Sequence, residues 1–128
     1  MDHIIVPGLA GFETDWHFSH VVRERGLLLL SGVTGTDAAG AIASVPAEQF
    51  EQAFRHLGLY LAQANASMDD ILEMTTYHVG LRQHLATFVE VKDRHIAAPY
   101  PAWSAIGVAE LITDGALVEI KIIAQDPG

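Results

Sequence analysis

The 128-residue chain contains no cysteine, so disulfides, thiolate nucleophiles and cysteine-based zinc sites are excluded outright. Basic residues are scarce: seven Lys and Arg stand against sixteen Asp and Glu, a formal net charge of −9. Such a field repels a phosphodiester backbone at physiological salt, which argues against nucleic acid as a partner. No apolar run approaches the ~20 residues a membrane span needs, and MDHIIVPGLAG at the start lacks the basic and long apolar regions of a secretory signal. A soluble, cytoplasmic protein with no membrane partner is expected. The seven histidines form no HExxH or other closely spaced ligand set, so neither a metal nor a cofactor is expected. The glycine-rich stretch GVTGTDAAG lacks the lysine of a phosphate loop. Ser31 has no nucleophile elbow around it, which leaves it a hydrogen-bonding role.

What the chain has in quantity is apolar surface. Half of its residues are hydrophobic and 18% are charged, more apolar area than a small monomer keeps out of water. Its length fits one domain, residues 1–128, and oligomerisation is the expected remedy for the excess.

Residues 17–23 and 27–31 are rich in β-formers, and Gly26 between them can take the positive φ of a tight hairpin. Residues 32–44 predict a strand end, a loop and room for one short extra strand. Phe50, Ala53, Phe54, Leu57, Leu61 and Ala64 then form one helical stripe, with Ser44 as capping oxygen and Pro46 in the first turn. Asn65 to Ser67 end that helix, and Ser67 with Asp70 predicts a capping box for one further turn. Residues 71–79 read as a strand. Residues 83–97 read as a second helix that buries Leu85, Phe88, Val89, the Lys92 stem and Ile96, and Pro99 stops it.

Two strands close the chain, WSAIGVAEL and ALVEIKIIAQ. The order ββ-α-β-α-ββ, with both helices on one sheet face, predicts a two-layer α+β sandwich. In the last strand Val118, Ile120, Ile122 and Ala124 share one side, and Leu117, Glu119, Lys121 and Ile123 the other. That second side is too apolar for water and too charged for a core. Trp103 shares its side with the small residues Ala105, Gly107 and Ala109, and a subunit interface is expected there.

These residues together resemble the YjgF/RidA family of imine deaminases, over roughly residues 16–126. The resemblance rests on Ser31-Gly32 closing the second strand, the helix from Pro46, the Ser67–Asp70 turn into MTTYHV, and the pairing of PAWS with VEIKIIA. It implies a chorismate-mutase-like fold with a mixed sheet of about six strands. It also implies a homotrimer whose sheets line a central barrel, with small-molecule clefts between subunits. In the deaminase branch an arginine within Pro-Ala-Arg-Ser grips the substrate carboxylate and a glutamate of the last strand serves the attacking water. Here Pro101, Ala102 and Ser104 keep the frame, Trp103 replaces the arginine, and Glu119 remains. Phe18 stands for a tyrosine, Val33 for a glutamine and His56 for an asparagine.

Glu119 is thus the catalytic candidate, and Trp103, Ser31, Gly32, Phe18, His20, His56 and Tyr100 are the candidate ligand contacts. An indole cannot reproduce the bidentate fork of an arginine on a carboxylate, a loss of about 2 to 5 kcal/mol in binding systems. The expected ligand is therefore aromatic, apolar or cationic in part rather than a small 2-imino acid. Two functions stand side by side: hydrolytic deamination of an imine, enamine or related amine, and a non-catalytic small-molecule-binding or sensing trimer. The ribonuclease activity often attached to the family (endoribonuclease L-PSP) sits poorly with the acidic charge.

Overall fold

A computed structural model describes residues 1–8 and 16–128. Its elements are β1 (Asp2–Ile4), β2 (Val21–Glu24), β3 (Leu27–Leu30), α1 (Pro46–Gln63), a 3-10 turn (Met68–Asp70), β4 (Ile71–His78), α2 (Leu81–His95), β5 (Ala102–Gly107) and β6 (Val118–Gln125). Six strands form one sheet in the order β1-β2-β3-β6-β4-β5. Every neighbouring pair is antiparallel except β4 and β5, which run parallel with α2 as their crossover. This is the mixed α+β sandwich that the element order predicts; β1 is the strand that carries no sequence signal.

The β2–β3 hairpin closes as expected. Glu24 pairs with Leu27, leaving Arg25 and Gly26 as a two-residue loop, and both take positive φ, 51° and 80°. That is the primed turn whose twist matches its strands. Asn65, at φ 60°, ends α1, and the Ser67 N–H bonds to Asp70 Oδ2 at 2.8 Å in the expected capping box. The N-terminus of α1 differs from expectation. The helix is capped at Val45, with no side-chain hydrogen bond, because Pro46 takes the first helical position and Ser44 stands one residue too early.

One side of the sheet carries the core. Val21, Leu28, Leu30, Met74, Val118, Ile120, Ile122 and Ala124 meet Phe50, Phe54, Leu57 and Leu61 of α1 and Phe88 and Val91 of α2. Val91 belongs to this core and was not part of the expected stripe. The other side holds Leu27, Leu29, Thr75, Tyr77, Ile106, Glu119, Lys121 and Ile123, as the strand register requires. Leu27, Leu29 and Ile106 are exposed there.

Two expectations about β5 are corrected. PAWS does not pair with VEIKIIA, since β4 lies between β5 and β6. Trp103 is opposite Met74, Ala105 opposite Thr76 and Gly107 opposite His78, so these residues face the helices rather than the open side. A Cβ on Gly107 would meet Leu81 of α2 at 3.6 Å, which confirms the side. Alternation alone could not assign it, because β5 is small or apolar on both faces.

One buried polar residue joins the helix layer to the loops. Gln49 is 1% exposed, donates through Nε2 to the carbonyls of Ala43 (3.1 Å) and Gly115 (3.2 Å), and accepts the Leu117 N–H at 2.6 Å. Replacing it with alanine strands three backbone groups. Gln49→Ala should lower unfolding free energy by about 2 to 4 kcal/mol, read from denaturant midpoints at fixed protein concentration; a loss within experimental error would show that these loops are satisfied in another way.

Candidate functional site

Glu119 lies near the start of β6 on the open face, half-buried. The segment after β3 is stitched beside it: Val33 and Ile120 exchange two backbone hydrogen bonds, at 2.9 and 2.8 Å. This brings Gly32 against the carboxylate so closely that a Cβ on Gly32 would stand 2.7 Å from Glu119 Cδ and Oε2. Any side chain at position 32 would push the carboxylate away. Glycine here leaves room for the carboxylate in this position, and its own φ does not call for it. Among the described residues the carboxylate makes no hydrogen bond or ion pair. Burial raises its pKa above the ordinary glutamate value, and the positive charge of Lys121 offsets part of that rise. Lys121 Nζ is itself donated to the Leu30 carbonyl at 3.2 Å.

Ser31 fixes the other side of this turn. Its hydroxyl donates to the Ser19 carbonyl at 2.6 Å and its N–H to the His20 carbonyl at 3.0 Å. Around it lies a broad open depression of about 720 Å³ lined by His3, Ile5, His17, Phe18, Ser19, Val22 and Ser31. Two candidates, Phe18 and Ser31, therefore share one wall, and Gly32 links that wall to Glu119. His3, His17 and Ser19 join them without a sequence signal; His3 Nδ1 meets Ser19 Oγ at 3.0 Å only because β1 pairs with β2.

The remaining candidates lie elsewhere. His20 is 1% exposed, accepts the Val6 N–H on Nδ1 at 2.7 Å and lies 4.9 Å from the Tyr60 ring, inside the core rather than on the open face. His56, on α1, donates Nδ1–H to the Thr34 carbonyl at 3.0 Å and meets Tyr60 edge-on. Burial depresses its pKa, partly countered by that carbonyl. Tyr100 is 72% exposed in the turn before β5. Among the described residues, no three His, Asp or Glu side chains converge as a metal site would require.

Trp103 forms a second cluster on the helix side. Its indole N–H donates to Thr76 Oγ1 at 3.0 Å, and His78 Nε2 sits 2.7 Å from that same oxygen. Phe88 flanks the ring at 6.3 Å between centroids, and Lys92 Nζ lies 4.6 Å from the ring centroid. His78 is buried, its Nδ1 has no partner among the described residues, and burial lowers its pKa. Thr76 and His78 are side-chain neighbours because they are two apart on β4; nothing in the sequence joins them to residue 103. Trp103 and Glu119 thus occupy opposite faces of the sheet of one chain.

The family model described as Endoribonuclease L-PSP matches residues 10–126. The chain belongs to the YjgF/RidA (endoribonuclease L-PSP) family. It is 34% identical over 125 residues to the RutC family protein YjgH of Escherichia coli K12, spanning 97% of this chain and 94% of that protein. A solved structure of protein YJGH superposes with a TM-score of 0.91 at 30% identity, covering 99% of this chain and 97% of that one. Rv2704 of Mycobacterium tuberculosis, a member of the YjgF/YER057c/UK114 family, gives 0.83 at 27% identity, covering 97% and 99%. E. coli TdcF, solved with bound serine, gives 0.77 at 26% identity, covering 84% and 87%. No helix among the described residues is long and apolar enough to cross a membrane.

The raised pKa of Glu119 has a direct consequence for stability. The folded chain resists ionisation of Glu119 and the unfolded chain does not. The stability linked to the protonated carboxyl is complete below the ordinary value of 4.5 and is lost as pH rises through the higher folded value. Glutamine cannot ionise. Glu119→Gln should therefore match the native protein below about pH 4 and exceed its stability at neutral pH, measured by denaturation across that range. A variant less stable than native at pH 7 would assign Glu119 to a structural ion pair.

Proposed function

We propose that the chain works as a single RidA-like domain in a homotrimer whose small-molecule sites form between subunits. In that reading Glu119 serves water in the hydrolysis of an imine, enamine or related amine. The observation that carries the reading is the Glu119–Gly32 contact: a half-buried carboxylate with a raised pKa and no hydrogen bond or ion pair among the described residues, held on an open sheet face beside a wall lined by Phe18 and Ser31. A general base is most effective when its pKa lies nearer the working pH. The apolar residues Leu27, Leu29 and Ile106 on the same face support burial against further copies of the chain. Because Trp103 faces the helices, a cleft containing both it and Glu119 takes the two from different subunits.

Glu119 accepts a proton from water as the oxygen adds to the C=N carbon and passes it to nitrogen, giving the carbinolamine; it then takes the hydroxyl proton and delivers it to nitrogen as the C–N bond breaks, leaving a carbonyl compound and ammonia. Trp103 supplies no cationic fork for a carboxylate. The substrate is accordingly one with an aromatic or apolar part, and the small 2-imino acids are poor ligands. TdcF holds serine, which supports a small-molecule site in this fold. The formal charge of −9 argues against RNA as the substrate.

Ammonia release distinguishes these statements. The native protein should hydrolyse an imine of phenylacetaldehyde faster than freshly generated 2-iminopropionate, and Glu119→Gln should lower the former by about 100-fold or more. Equal turnover in the glutamine variant would remove Glu119 from the chemistry. Saturable binding without turnover of any imine would leave the non-catalytic sensing trimer as the function. Sedimentation at micromolar concentration should give a trimer; a monomer would contradict the proposed site.

A further inference from the structure

The indole of Trp103 is already engaged on two sides by its own chain. Its only hydrogen-bond donor is committed to Thr76 Oγ1 at 3.0 Å. The Lys92 ammonium lies over the ring, 4.6 Å from the centroid, within the range of a cation–π contact. Lys92 comes from α2, one turn beyond Phe88, and its side chain is only 12% exposed, so the charge is held at the ring rather than sampling solvent. Its ion-pair partner, Asp93 at 3.1 Å, has a side chain that is 61% exposed and faces water. Trp103 nevertheless keeps 37% of its surface accessible.

We infer that Lys92 sets the charge preference of the Trp103 wall: with its ammonium over the ring, the wall accepts neutral aromatic or apolar groups and turns away cationic ones. This rests on the proposal that Trp103 lines a ligand site, and it narrows the ligand class that an isolated indole would admit. A free indole face attracts cations. Here the attraction is used within the chain, and an incoming ammonium meets the Lys92 charge across a partly dry contact.

The test uses the full-length chain carrying Trp16→Phe, so that fluorescence reports on Trp103 alone. 2-Phenylethanol and the 2-phenylethylammonium ion have nearly the same shape and differ in charge. In this background the alcohol should perturb the emission at roughly tenfold lower concentration than the ammonium ion. Lys92→Met keeps the stem and removes the charge, and should bring the two midpoints together or invert them. Lys92→Arg should preserve the native order, which separates loss of charge from loss of packing. The unliganded emission of Trp103 should also change in the methionine variant and much less in the arginine variant. A preference for the alcohol that persists unchanged in Lys92→Met overturns the role of Lys92 while leaving the ligand site in place. No saturable response to either compound in any of the three proteins removes Trp103 from the site, and the inference falls with it.

Discussion

Strand β6 is hydrogen-bonded along both edges, to β3 and to β4, and the rest of the molecule is arranged around its alternation. Val118, Ile120, Ile122 and Ala124 go into the core, which obliges Glu119 and Lys121 to face the open side. A carboxylate in that place cannot retreat, because moving it to the other face would slip every partner on two neighbouring strands. The same pairing carries outward through β4 to β5 and sets Trp103 on the helix side. The separation of the two principal candidate residues follows from register.

That separation is also where reading the sequence met its limit. The helical stripe of Phe50, Ala53, Phe54, Leu57 and Leu61 and the alternation of β6 are strong periodic signals, and the second helix, the hairpin through Gly26 and the Ser67–Asp70 box were legible from local signals of their own. Strand β5 has no such signal. With Trp103, Ala105 and Gly107 on one side and Ser104 and Ile106 on the other, neither face declares itself as core, and the side was fixed only by pairing with β4. His20 illustrates a second limit. A polar ring next to a predicted site looks like a ligand contact until the fold places the Val6 N–H and Tyr60 against it.

Contacts that span long stretches of sequence account for the rest. Gly32 and Glu119 are 87 positions apart (119 minus 32), and the reason for glycine at 32 is visible only when the carboxylate occupies the space a Cβ would need. Trp103, Thr76, His78, Phe88 and Lys92 likewise come from three elements, and their joint effect is to fix one indole by its N–H and one ring face.

The central claim is that Glu119 and Trp103 act in the same site although they stand on opposite faces of one chain. Subunit complementation tests it most directly. Glu119→Gln and Trp103→Ala should each be inactive, or unable to bind, as homogeneous assemblies. When the two are unfolded together and reassembled, some interfaces receive Trp103 from one subunit and Glu119 from another. Recovery of a substantial fraction of native activity or ligand binding in the mixture, absent from the separate variants, is the predicted result. A mixture no better than the sum of its parts would place the two residues in unrelated roles and contradict the shared site.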